Sequence, residues 1–227
     1  MVHRLPISVI ALCALTRLFA ETGAAQPVVV SRTEHVDFAP GGTIRVQDSF
    51  GSLIVEGWDR PGVELTVVKS MGFISTPAQT AAQRMDTVHV TMSRGSGNEL
   101  TVSTNRPAPR SFAHPLRPGS GVTVEYHIRA PRSSRLVINH AGGQISVTGM
   151  TGDIEARSHR GDIALMLPDL AGYSIDAHSK LGVVTSDADV ATRGKASPGS
   201  KRLVLRMGFG GIEIKELPHE AVTPSGS

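Results

Sequence analysis

Apolar and polar residues alternate with a period of two over most of this chain, and that alternation predicts strands. Thr43–Val46, Leu53–Glu56, Val63–Lys69, Thr87–Met92, Glu99–Ser103 and Val122–Ile128 place β-branched or aliphatic residues at every second position, as a half-buried strand requires. One stretch breaks the pattern. Pro77–Met85 (PAQTAAQRM) is rich in Ala and Gln, with Thr76 placed to cap it and Pro77 at the first helical position, so it predicts a short helix. Arg106–Gly121 carries four prolines and reads as a loop. Residues 218–227 read as a disordered tail.

Superimposed on the alternation is a repeat. Aligned on glycine, five segments share one frame: Asp48-Ser-Phe-Gly51-Ser-Leu-Ile-Val55, His140-Ala-Gly-Gly143-Gln-Ile-Ser-Val147, Ser158-His-Arg-Gly161-Asp-Ile-Ala-Leu165, Ser179-Lys-Leu-Gly182-Val-Val-Thr-Ser186 and Met207-Gly-Phe-Gly210-Gly-Ile-Glu-Ile214. Each is a tight turn ending in glycine, where the backbone takes a positive φ or packs closely, followed by a short strand. Gly152 opens a half-coil midway between Gly143 and Gly161. Gly143 to Gly161 is 18 residues and Gly161 to Gly182 is 21; two short strands in a rung of about 20 residues is a solenoid spacing. Leu53, Ile145, Ile163, Val184 and Ile212 each stand two residues after a repeat glycine. They are expected to face inward as one stack, with Ile163 between Ile145 and Val184.

The expectation is therefore an all-β, solenoid-like stack over residues 131–217. Residues 26–130 form the longer-stranded start of the same stack, capped by the helix. A β-sandwich of hairpins is the alternative, although its strands would be longer and less regularly spaced by glycine. Few aromatics and 24 glycines suit thin layers of Val, Ile and Leu.

The N-terminus bears on compartment. Leu5–Thr16 is an apolar run of signal-sequence length, and Gly23-Ala24-Ala25 offers small residues ahead of Gln26. Residues 1–25 are read as a cleaved signal peptide, since Arg17 and Glu21 interrupt the run before it could span a bilayer. The sole cysteine, Cys13, lies inside that segment. The remaining chain would have no thiol for a disulfide or a cysteine metal site. Loss of Arg4, Arg17 and Glu21 lowers the net charge from +3 by one. No Lys/Arg block is dense enough to argue for nucleic acid, and no transmembrane span is expected.

The order of motifs resembles one family. Gly51-Ser-Leu-Ile-Val-Glu-Gly-Trp-Asp59, the strand Val122-Thr-Val-Glu-Tyr-His-Ile-Arg-Ala-Pro131 and the repeated Gly-x-Ile turns look like the putative adhesin family of bacterial exported β-repeat proteins (the DUF4097 type). The resemblance covers nearly the whole chain after the signal. It implies a right-handed, single-stranded β-helix or a related solenoid, exported and envelope-associated, and no established activity.

Candidate chemistry is sparse. His140, His159 and His178 recur at 19-residue intervals, but the glycine frame puts them at different turn positions. They are read as exposed turn histidines rather than a metal ladder. Asp153 and Asp162, each in Gly-Asp-Ile, supply too few oxygens for Ca²⁺ and are read as turn residues bonding backbone N–H groups. Asp187 and Asp189 are the only notable acidic neighbours, with no aromatic beside them to hold a sugar for hydrolysis. No nucleophile elbow, phosphate loop or dinucleotide fingerprint is present. Trp58 ends a strand at a turn and is read as packing over the sheet end. The sequence thus assigns no catalytic, cofactor or metal residue. It points to a non-enzymatic interaction module whose partner is an envelope or surface protein or glycan. An accessory domain in envelope sensing is the alternative, and a polysaccharide-active enzyme a distant one.

Overall fold

The computed structural model describes residues 28–71, 78–105, 122–187 and 200–218. The signal segment 1–25, the helix-start residues Thr76 and Pro77, the loop Arg106–Gly121, Asp189 and the tail beyond Pro218 lie outside these. The chain is all-β with one short helix. In order it runs β1 (Val28–Val36), β2 (Thr43–Phe50), β3 (Ser52–Trp58), β4 (Val63–Met71), α1 (Ala78–Asp86), β5 (His89–Arg94) and β6 (Glu99–Asn105). Then follow β7 (Val122–Pro131), β8 (Arg135–Thr148), β9 (Ile154–Leu167), β10 (Tyr173–Leu181), β11 (Val184–Ser186), β12 (Lys201–Phe209) and β13 (Ile212–Glu216).

These strands form one connected 13-stranded sheet, curled so that two leaves face each other. The long strands β8 and β9 belong to both leaves. Their first halves pair with β2 and β12, and their second halves with β3 and β13. All these pairings are parallel, and all but β2–β8, which carries two compensating shifts, keep a continuous register. Among the described residues, antiparallel pairs occur only at the N-terminal end, where β4 joins β1 and β7, and β5 joins β6. Alternation then does the sorting. In β9, Ile154, Ala156, Ile163, Leu165 and Leu167 are buried while Arg157, Asp162 and Met166 are exposed, because successive strand side chains point to opposite faces.

The buried positions line up across the strands. One row runs Val67, Tyr126, Leu53, Ile145, Ile163, Ile212, Val184. Another runs Leu100, Ile44, Leu136, Ile154, Leu203, Ile175. Each fully buried Ile or Leu contributes about 1.5–3 kcal/mol of transfer free energy. The leaves are also tied by a polar contact: the Tyr126 and Thr104 hydroxyls lie 2.9 Å apart, both buried.

The spatial order of the last rungs differs from their order in the chain. Ile212, not Val184, is the neighbour of Ile163 on the side away from Ile145. The segment β12–β13 lies between β9 and β10–β11. Apolar content accounts for this. β12 and β13 bury Leu203, Leu205, Met207, Ile212 and Ile214, whereas β10 and β11 offer Ile175, Ala177, Ser179, Val184 and Ser186 to the same inner face. The more apolar segment takes the slot with neighbours on both sides.

At the N-terminal end α1 packs on β4 and β1, burying Ala81 and Met85. Lys69 faces inward there, and its Nζ donates to the carbonyls of Met85 and Val88. Met85 lies in the last turn of α1 and its carbonyl also accepts the Val88 N–H at 3.2 Å, so a cation there complements the negative end of the helix dipole.

Candidate functional site

The glycine turns form a corner where each rung passes from one leaf to the other. Gly51, Gly143, Gly161, Gly210 and Gly182 stack there in that order, all with positive φ. A Cβ at Gly161 would lie 1.9 Å from the Gly143 carbonyl oxygen, and one at Gly210 1.5 Å from that of Gly161. Each rung therefore packs backbone to backbone on the one before, and no side chain fits. Gly152 stands elsewhere. It lies in the turn before β9, where a Cβ would meet the Ser134 carbonyl oxygen at 2.2 Å, and its own carbonyl accepts the Tyr173 hydroxyl at 2.9 Å.

Inside the corner the core turns polar. Ser49, His140, Ser158, Met207 and Ser179 form one row. Compensating register shifts, one residue extra in β2 and then one extra in β8, bring Ser49 opposite His140. Asp48, in the first of these, carries φ 55°. The His140 Nε2 lies 3.2 Å from the Gly51 carbonyl oxygen. A carbonyl only accepts, so Nε2 carries the proton, and Nδ1 accepts the Ser49 hydroxyl at 2.8 Å. Burial holds the His140 pKa below its ordinary 6.5, outweighing the Gly51 and Gly142 carbonyls that raise it. The sequence reading of His140 as an exposed turn histidine is thus corrected: it is 2% exposed. The pair is a hydrogen-bonded clamp between rungs. Ser49 is fully buried, which leaves its hydroxyl out of reach of a substrate.

The other two spaced histidines do not join it. His159 and His178 are exposed, and His178 pairs with Arg206 rather than with a histidine. Among the described residues no three His, Cys, Asp or Glu side chains converge on a metal-sized site. Asp162 accepts the Gly211 N–H and Asp153 the Arg202 N–H, each at 2.8 Å, so both tie neighbouring strands. Asp187 accepts the Glu216 N–H at 3.1 Å.

Outside the corner lies a broad groove of about 710 Å³. Its floor is Ala141, Gly142, Gly143 and Gly208. Phe50 stands at one end and Lys180, on β10, at the other; Phe209 lies between Lys180 and Arg160, and His159 lines the same stretch. Phe209 is 56% exposed. No carboxylate lines the groove, and among the described residues neither Arg160 nor Lys180 makes an ion pair.

Two other concavities have their cations engaged in internal contacts. A cleft of about 370 Å³ between β1, β4 and β5 has an apolar floor including Leu65, Val67 and Val88, but Arg32 at its rim is paired with Glu34 at 2.7 Å and Lys69 is spent on the helix. Beside Trp58 the Arg60 guanidinium sits 4.0 Å from the ring centroid and the indole N–H donates to the Gly62 carbonyl at 3.2 Å, so one face of this ring is covered.

One solved structure shares this architecture. A putative cell adhesion protein from Clostridium sporogenes ATCC 15579 superposes with a TM-score of 0.55 at 12% identity, covering 84% of this chain and 100% of that one. A putative adhesin from Bacteroides fragilis NCTC 9343 matches at 0.34 and 11% identity, over 82% and 97% of the two chains. At these identities the first likeness is one of fold. No family model and no curated protein sequence matches the chain.

The groove residues escaped the sequence reading, although a signal for them existed. Phe50, Gly142, Arg160, Leu181 and Phe209 all immediately precede a repeat glycine, so the frame that aligned the glycines aligned these too. His140 likewise follows Leu136 and Ile138 at period two, which is the parity of an inward position.

Proposed function

We propose that this chain is a non-enzymatic, exported interaction module of the bacterial envelope or cell surface, adhesin-like in role and built as a β-solenoid-type stack. The observation that carries this reading is the outer corner. There, side chains from separate rungs are held in fixed rows by a backbone-to-backbone ladder, giving a rigid display surface. The shared fold with a protein described as a putative cell adhesion protein supports it. Among the described residues no helix is long and apolar enough to cross a membrane. Export rests on the apolar run and small residues within positions 1–25. The test is binding of the purified, labelled protein to intact cells and to envelope fractions. Saturable binding is the expected result; equal uptake of an unrelated β protein of similar charge would refute the reading.

A further inference from the structure

We propose that the outer corner groove binds an acidic polysaccharide, with sugar rings laid along the stacking axis and their acid groups against Arg160 and Lys180. This rests on the interaction-module reading and narrows its partner to one chemistry. Three features of the groove converge on it. The first is charge. Two cations line a concavity that holds no carboxylate, whereas Arg45, Arg157 and Arg206 on the neighbouring leaf are each paired with an acid. The second is an exposed ring standing between the two cations. Phe209 keeps 56% of its surface exposed at a cost in apolar hydration. Its ring face carries negative quadrupole density that suits the C–H-rich face of a pyranose.

The third is spacing. Phe50, Gly142, Arg160 and Phe209 occupy successive strands, so Phe50 and Phe209 are separated by three steps, roughly 14 Å at about 4.8 Å each. Arg160 and Lys180 lie two steps apart, with β12 between them. That puts their backbones roughly 10 Å apart, a separation that a chain carrying an acid group on each sugar can bridge. The small floor residues let such a chain lie against backbone. Gly142 is free of the ladder's constraint: a Cβ there would meet only the Arg160 carbonyl oxygen at 3.5 Å and its Cβ at 3.7 Å, an ordinary contact. The groove is open at Gly142 although the fold tolerates a side chain there.

The experiment measures binding of the purified protein to polygalacturonate, with dextran (rings without charge), polyphosphate (charge without rings) and single-stranded DNA as the other arms. Polygalacturonate is expected to bind, dextran not, and polyphosphate and DNA more weakly. Arg160→Gln with Lys180→Gln should weaken polygalacturonate binding by tenfold or more, as loss of charge-assisted contacts does. Phe209→Ala should weaken polygalacturonate but leave polyphosphate unchanged. Gly142→Leu should block the groove while the melting temperature stays near that of the parent. The proposal is overturned if polygalacturonate does not bind, if the Arg160/Lys180 and Gly142 variants bind as the parent does, or if DNA binds more tightly. Failure here with envelope binding intact removes the glycan assignment alone; loss of both removes the interaction-module reading as well.

Discussion

Ser49 donates its hydroxyl to Nδ1 of His140 at 2.8 Å, joining strands that are far apart in the chain through a fully desolvated contact. A neutral imidazole satisfies both neighbours; an imidazolium would turn a second N–H toward the Ser49 oxygen in a site with little water to solvate the charge. The folded-state pKa of His140 lies below the 6.5 of an unperturbed histidine. The unfolded chain therefore binds more protons below that pH. This contribution to stability is present above 6.5 and is lost as pH falls from there toward the folded pKa. Urea midpoints measured near pH 7.5 and near pH 5 should diverge more for the parent than for His140→Gln, in which position 140 no longer titrates. Equal divergence in both would show that His140 does not couple to folding.

The order of the rungs can be tested by cross-linking. Ala164 pairs with Glu213, which in turn pairs with Thr185. Neighbouring strands lie about 4.8 Å apart, within disulfide reach, and two steps exceed it. Ala164→Cys with Glu213→Cys should oxidise to a disulfide visible on a non-reducing gel, and Ala164→Cys with Thr185→Cys should not.

Packing at the same level gives a graded series. Ile163 has inner neighbours on both sides and should cost about 2–5 kcal/mol on truncation to Ala. Val184 ends the row half-buried, so Val184→Ala should cost roughly 1 kcal/mol or less. Ala164→Ser, on the outer face, should stay within about 0.5 kcal/mol. Similar values for Ile163→Ala and Ala164→Ser in denaturant unfolding would contradict the inward row.

At the corner, Gly161→Ala has no space and a strained φ of 112°. Gly97 also has a positive φ, but nothing lies within 4 Å of a Cβ there. Gly161→Ala is expected to abolish recovery of folded protein, whereas Gly97→Ala should shift the midpoint by only about 1 kcal/mol, the backbone penalty alone. Circular dichroism of the two variants separates crowding from conformational strain.

Lys69→Met keeps the stem and removes the donor from the Met85 and Val88 carbonyls. A loss of roughly 1–3 kcal/mol is expected for hydrogen bonds made by a charged group. Faster amide exchange confined to α1 and the start of β5 would locate the effect, and uniform acceleration across the sheet would argue against a local cap.

Period-two alternation made β2, β3, β4, β6 and β7 legible, since each of those strands has one buried face, and β5 as well, whose Val90 and Met92 are half-buried. β1 escaped because its exposed Val29 and Val30 and its polar Ser31–His35 give it no clean buried face. The glycine frame carried the register of Gly51, Gly143, Gly161, Gly182 and Gly210, because stacked corners exclude a Cβ at all five. It could not carry the order of the stack. Parallel register says which positions match, not which strand is the neighbour, and β9 matches β10 as well as it matches β12. Nor could composition alone reveal the corner groove, whose cations and phenylalanines come from separate rungs and are ordinary surface residues until the ladder brings them together.

The inserted position of β12 and β13 also sets a timetable. Along the chain β9, β10 and β11 precede Lys201, so the slot between β9 and β10 must be left open, or reopened, for a segment that follows them. β9 and β10 run in the same direction with compatible patterns, so an early partnership between them would be a trap that Leu203, Leu205 and Met207 would have to displace. Non-local parallel pairing is slow to begin with. A chain that must wait for its C-terminal rung to lock the preceding ones completes its core late and as a unit, and until then an unprotected strand edge stays open to whatever else is nearby.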